Sequence, residues 1–207
     1  MSAVRTVTTF LALLAVTAEV AVAAAVVLAA ASPLSPAVRR VRRAAADAVS
    51  PSALWLAFAV ALVCTLGSLY YSEVAHFTPC RLCWYQRIAM YPLVPLLGLA
   101  AWRRDTGIRP YALALAGLGA PISAWHVLVE RFPTLEGPYC DPAAPCSAIW
   151  VNTFGYLTIP TMALSGFLLI AVLLLVAAPE PELEEGDEAA AEVRSARPEA
   201  PVPGATQ

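Results

Sequence analysis

The sequence predicts an all-α integral membrane protein: a four-helix transmembrane bundle preceded by an additional N-terminal transmembrane helix. Two observations carry that expectation. The 207-residue chain is 59% hydrophobic and 14% charged, with a mean hydropathy of +0.68, above what soluble domains of this size show. In addition, apolar stretches of about twenty residues, enough for a helix to cross a hydrocarbon core of about 30 Å, recur five times. They lie near 7–31, 53–72, 86–102, 111–129 and 157–178.

The first stretch, 7–31, is followed by a basic segment, so residues 1–52 read as an extra membrane span with a cytoplasmic loop. Its Ala-rich end also suits signal-peptide cleavage, although the apolar run is longer than a usual signal core. Glu19 within it would be costly against lipid, which predicts that it faces the bundle or pairs with an arginine; proton uptake is the functional alternative. The second stretch holds Cys64, read as a small apolar packing residue. The third begins beside Arg87 and contains Pro92 and Pro95, which bend or interrupt a helix unless neighbours satisfy the freed carbonyls. The fourth ends near His126. The fifth closes the 53–178 unit, after which a Pro-, Glu- and Ala-rich tail, 179–207, lacks any apolar periodicity and reads as disordered.

All thirteen basic residues are arginine. Eight acidic residues and two arginines lie between Pro179 and Gln207, so the tail carries about −6 and the remainder about +4 against a net −2. The positive charges sit beside apolar runs rather than on a continuous basic face, which argues for topology and against nucleic-acid binding. Arg39, Arg40, Arg42 and Arg43 follow the first span, and Arg103, Arg104 and Arg109 separate the third and fourth. Both connections are therefore expected in the cytoplasm, which puts the 73–85 and 130–156 loops outside and the acidic tail inside.

Those two outer loops contain four of the five cysteines. Cys80 and Cys83 form a CxxC that runs directly into Trp84-Tyr85-Gln86-Arg87, so Cys83 is expected at the start of the third span. Cysteines three apart on a helical turn can form a disulfide, and a thiol at a helix N-terminus is favoured as thiolate. Arg87 lies one turn beyond Cys83 on the same face, where its charge can favour a thiolate or hold an acceptor's carbonyl oxygen. The alternative is an interfacial arginine that snorkels to headgroups. Cys140 and Cys146 flank a Pro-stiffened segment, Asp141 to Pro145, accessible to another protein's thiol.

Spacing alone leaves other uses of these cysteines open. They would serve as structural staples in an oxidising compartment, or as four thiolate ligands of zinc. A thioredoxin-type site would need alternating strands and helices around the CxxC, and a c-type haem site would need histidine where Trp84 stands.

The run from Cys80 through Arg87, then His126, Cys140 and Cys146, then Trp150-Val-Asn-Thr-Phe-Gly-Tyr-Leu-Thr-Ile-Pro160, resembles the disulfide-bond formation protein B (DsbB) family, especially its shorter-loop members. The resemblance covers roughly 53–178. It implies a four-helix membrane bundle in the cytoplasmic membrane that reoxidises a DsbA-like thioredoxin-fold partner and reduces a quinone, ubiquinone or menaquinone, in the relay that keeps a bacterial periplasm oxidising. Carried over by motif, Cys140 is the cysteine attacked by the partner, Cys146 its mate, Cys80 and Cys83 the pair nearer quinone, and Cys83 the thiolate that meets it. Arg87 matches the family's quinone-site arginine. His126 resembles a quinone-site histidine, with a hydrogen-bonded helix-end histidine as its structural alternative. The additional first span, the compact second cysteine loop and the long acidic tail depart from the family pattern.

Two rival functions remain at this stage. A vitamin K epoxide reductase-like enzyme uses similar cysteine pairs and quinone, but its quinone-side CxxC comes late in the chain, whereas Cys80 and Cys83 come first here. A non-catalytic scaffold would keep all four cysteines oxidised as braces.

Overall fold

The computed structural model describes residues 2–177, so the expected disorder of the 179–207 tail lies outside the described residues. Helices dominate, and no strand forms among the described residues beyond two isolated bridges.

Helix α1, Ser2–Ala31, is mainly apolar and about 45 Å long at 1.5 Å per residue. The connection after it, expected as a loop, is instead a helix, α2, Pro36–Val49. Ser35 with extended dihedrals and Pro36 in the first turn start it. None of its residues is buried, so its four arginines lie on an open amphipathic helix. A short 3₁₀ turn leads into α3, Ala53–Leu69, which ends in a π-helical turn, Tyr70–Val74.

The third predicted span is divided into α4, Arg81–Met90, and α5, Leu93–Arg103. Tyr91 and Pro92 keep right-handed helical dihedrals at the join, and Tyr91 N–H still donates to the Arg87 carbonyl, 2.9 Å away. Residues 81–103 therefore run on as one kinked rod, with the break where Pro92 lacks an N–H. Helix α6, Arg109–Arg131, and helix α7, Ile159–Val176, complete the bundle.

Among the described residues, four helical runs are individually long and apolar enough to cross a membrane: Ala3–Ala31, Pro36–Val74, Thr106–Arg131 and Ile159–Val176. Helices α4 and α5, of 10 and 11 residues, reach that length only together, at about 34 Å of rise.

The core of the four-helix unit is built from Ala57 and Ala61 of α3, Leu93 and Leu97 of α5, Ala112 and Ala116 of α6, and Phe167, Ile170 and Leu174 of α7. Small residues bring the backbones close, as expected where lipid removes the hydrophobic drive between helices. A Cβ on Gly119 would collide with the Phe167 ring, and one on Gly166 would reach Cys64 Sγ, so the α6–α7 and α3–α7 crossings both depend on glycine. Cys64 accordingly packs in this core with no disulfide partner.

Helix α1 docks on the seam between α3 and α7. Ala12 and Ala15 pack with Leu157, Leu11 lies against Gly67, Thr8 accepts from Tyr71 Oη at 3.3 Å, and Glu19 accepts from Tyr156 Oη at 2.8 Å and Ser165 Oγ at 3.0 Å. Glu19 thus faces the bundle; its partners are hydroxyls rather than an arginine. Chain direction places the arginine-bearing 32–52 and 103–109 connections at one end of the bundle and the 75–80 and 132–158 connections at the other.

Candidate functional site

All four loop cysteines meet in one small cluster. Cys80, Leu82, Val129 and Cys146 are buried together, with Cys83, Cys140 and Tyr139 packed against them. Cys140 and Cys146 are joined as a disulfide, whereas Cys80 and Cys83 are thiols with Sγ atoms 3.1 Å apart.

The inner pair is positioned by the start of α4. Cys80 is its N-cap residue, with extended dihedrals, and its sulfur accepts the Cys83 backbone N–H at 3.4 Å. Cys83 lies in the first turn of α4, as the sequence predicts, and the sulfur that caps the helix start is that of Cys80. The hydrogen bond from Cys83 Sγ, joined by His126, holds the Cys80 thiol well below its ordinary range against the opposing effect of burial.

His126 occupies the junction between the pairs. It is 2% exposed; its Nε2 lies 3.0 Å from the Cys146 carbonyl and 3.6 Å from Cys80 Sγ, while its Nδ1 faces Gln86 Nε2 at 2.8 Å. A carbonyl oxygen can only accept, so Nε2 carries the hydrogen, and Nδ1 accepts from the Gln86 amide. That tautomer points an N–H at both the Cys146 carbonyl and the Cys80 sulfur. One turn further along α6, Glu130 is 8% exposed and its Oε2 has no hydrogen-bond partner. It is a buried acid that the sequence reading passed over.

The outer pair is held by its own loop. Glu136 accepts the Cys146 N–H and the Ser147 hydroxyl, each at 2.5 Å, and Tyr139 Oη accepts from Trp125 Nε1 at 2.9 Å. A Cβ on Gly137 would strike the Tyr139 ring, which explains the glycine there. Exposure differs across the disulfide: Cys146 is fully buried, and Cys140 is partly open.

The Ser147 and Cys146 hydrogen bonds hold the Glu136 carboxyl below its usual 4.5. A depressed acid contributes its anchoring above the unfolded value and loses it as pH falls through the folded one. The loop is therefore expected to be anchored at neutral pH and released in acid. Reduction of Cys140–Cys146 by a phosphine, which stays reactive in acid, should be several-fold faster in Glu136→Ala at pH 7. Wild type and variant should converge once pH falls well below 4.5.

Cys83, Gln86 and Arg87 line a cavity of about 490 Å³ that runs between α1, α3, α4 and α7. Arg87 reaches it beneath Trp84, 5.2 Å from the ring centroid, and is tethered by Ser68: Nε donates to Ser68 Oγ and an Nη to the Ser68 carbonyl, both at 3.0 Å. Ser68 takes two of the guanidinium's five donors. His126, expected alongside Arg87, is absent from the cavity lining. The structure sets it at the thiol junction instead.

The Trp150 to Pro160 segment folds back over the site. Trp150 stacks on Phe77 with ring centroids 5.1 Å apart, and Phe77 on Tyr71 at 5.8 Å, which ties the two outer connections together. Phe154 and Gly155 both have positive φ, 55° and 80°, inside a tight turn closed by Thr153 and Leu157. That geometry calls for the glycine.

The model of the family described as "Disulfide bond formation protein DsbB" matches residues 50–177. The chain belongs to the DsbB family. Curated relatives agree: the disulfide bond formation protein C of Bacillus subtilis (strain 168) is 47% identical over 122 residues, covering 58% of this chain and 88% of the relative. A probable disulfide formation protein C 1 of Bacillus anthracis is 45% identical over 122 residues, 58% and 87% of the two chains, and a probable disulfide formation protein C of Halalkalibacterium halodurans 40% over 124 residues, 59% and 88%. No solved structure matches. The protein is thus a disulfide-forming, multi-pass membrane oxidoreductase. Helices α1 and α2 precede the family match.

Cys140 and Cys146 are bonded to each other, so the four loop cysteines do not stand as four free thiolates.

Proposed function

We propose that this chain is a membrane thiol:quinone oxidoreductase: it reoxidises a DsbA-like thioredoxin-fold protein and passes the electrons to ubiquinone or menaquinone, driving disulfide formation in exported proteins. One observation carries the reading. The inner sulfurs touch each other but have different further neighbours: Cys80 meets His126, which reaches the Cys146 carbonyl, while Cys83 lines the cavity shared with Arg87. An electron path with an entrance, a junction and an exit follows from that division.

At the entrance a donor thiolate attacks Cys140, the accessible sulfur, breaking the Cys140–Cys146 bond and forming a mixed disulfide. The donor's second thiolate releases Cys140 and leaves the donor oxidised. At the junction the Cys146 thiolate attacks Cys80 of an oxidised inner pair and frees Cys83; attack by Cys140 on Cys146 then restores the outer disulfide and leaves Cys80 and Cys83 as thiols. His126 directs an N–H at the sulfur that must carry charge during this exchange. At the exit, a quinone in the cavity supplies the sink for two electrons and two protons. Cys83 presents its sulfur there, and Arg87, braced by Ser68, would hold a ring carbonyl oxygen.

The lining fits such a molecule, since it is apolar apart from the Cys83–Arg87 end. Thiol exchange is nearly isoenergetic, so the net direction comes from the acceptor, with 30 mV equivalent to about 1.4 kcal/mol for two electrons. The arginine-rich connections at the opposite end support a cytoplasmic-membrane orientation with the cysteines outside.

The test is turnover: purified protein in detergent, given a reduced thioredoxin-fold dithiol donor and a quinone, should produce quinol continuously. Failure with both ubiquinone and menaquinone, with the cysteines left oxidised, would return the protein to a braced scaffold.

A further inference from the structure

The cavity at Cys83 has a wall that the family match does not contain. Leu11, Leu14, Ala15, Thr17, Ala18 and Ala21 of α1 line it, opposite α3 and α7. This face is docked at both ends, by Thr8 on Tyr71 and Glu19 on Tyr156 and Ser165, with Leu11 packed against Gly67 between them.

Polarity is distributed unevenly along the cavity. Ser68, Cys83, Gln86 and Arg87 mark one end. From Ser68 the lining continues along α3 to Leu56, twelve residues or about 18 Å deeper at 1.5 Å per residue, with Ala21 of α1 and Leu169 of α7 also on the wall. The deeper α1 lining carries no free polar group: the Thr17 hydroxyl is taken by the Leu13 carbonyl at 2.9 Å. A ligand suited to this shape has a compact polar head at Cys83 and Arg87 and a long, flexible apolar tail.

We propose that α1 forms the tail channel of the quinone site, so that Ala15, Ala18 and Ala21 determine how the acceptor's isoprenoid chain is bound. The proposal rests on the quinone reading above and adds a specificity element. Small side chains on α1 leave the channel open, and Glu19 fixes the rotation of α1 that sets those alanines on its wall.

Ala18 is buried and lines the channel, whereas Val20 is 64% exposed on the outer face of the same helix. Ala18→Phe and Val20→Phe therefore compare a blocked channel with an equal bulk outside it. The measurement is donor-driven reduction of a quinone with a long isoprenoid tail and of the same ring without a tail, each over a concentration series. Single-turnover exchange at Cys140–Cys146 reports that the variants are folded.

Ala18→Phe should raise KM for the tailed quinone by about tenfold, the effect of excluding a few methylenes from an apolar channel, with kcat and the tailless KM within about twofold. Val20→Phe should change neither. Ala21→Phe, deeper in the channel, should hinder long tails and spare a quinone with one isoprene unit. Equal losses for tailed and tailless quinones, or no loss for either, would overturn the proposal. If wild type reduces no quinone at all, the functional reading itself fails and this inference fails with it, an outcome distinct from a wild type that reduces both rings and variants that do not discriminate.

Discussion

A reduced thioredoxin-fold donor that lacks its second cysteine should be trapped by the wild-type protein as a mixed disulfide at Cys140, with Cys146 released as a thiol, and should not be trapped at Cys146. The asymmetry follows from burial, since Cys146 is enclosed with Cys80 and Leu82 while Cys140 is the sulfur a second protein can reach. Cys83→Ser should keep this entrance step. It leaves the outer disulfide and its loop anchors untouched, so exchange with the donor persists for one round, but quinone reduction falls to background because the sulfur facing the cavity is gone. Peptide mapping of the adduct from non-reducing gels reads which cysteine holds the donor, and quinone absorbance reads Cys83→Ser. A mixed disulfide at Cys146 rather than Cys140 would reverse the proposed entrance.

The second large effect is expected at His126. Removing the imidazole strips a partner from the Gln86 amide and the Cys146 carbonyl and takes the N–H away from Cys80. Leaving a buried polar group unpaired costs about 1–3 kcal/mol, so His126→Ala should lose stability and let the junction separate. The Cys80 thiol, no longer assisted by that N–H, moves up toward its ordinary range. A raised folded value shifts thiolate formation to higher pH, so the quinone-reduction profile of His126→Ala should be displaced alkaline, with a rate at neutral pH lower by about 10²-fold. His126→Gln can still donate to the Cys146 carbonyl and should recover part of the stability without restoring the pH profile. A purely structural histidine would instead give a parallel loss at every pH.

Much of this site is legible in the sequence because its chemistry is concentrated in short motifs. The CxxC that opens α4, Arg87 one turn later on the Cys83 side, and the glycine that completes the Phe154–Gly155 turn all follow from local spacing. The kink at Tyr91–Pro92 falls where the prolines point. Helix α2 was also within reach: Ser35 followed by Pro36 is a helix-start signal, masked by the reading of an arginine cluster as a loop.

What sequence does not supply is partnership across the bundle. Glu136 is one acid among several, and only the fold brings it to the Cys146 N–H. Ser68 becomes the brace of Arg87 because α3 and α4 meet there. His126 meets Cys80 and the Cys146 carbonyl and does not line the cavity, a partnership set by how α6 packs rather than by spacing. Glu19 was expected to face inward, but its hydroxyl partners lie 137 and 146 residues away in sequence.

The most direct test of the relay is a thiol count. Protein reduced at all four loop cysteines, freed of reductant and mixed anaerobically with excess quinone, should lose one thiol pair for each quinol formed, until both pairs are disulfides. Cys83→Ser should form no quinol. Four thiols retained beside an unchanged quinone spectrum in the wild-type protein would contradict the account.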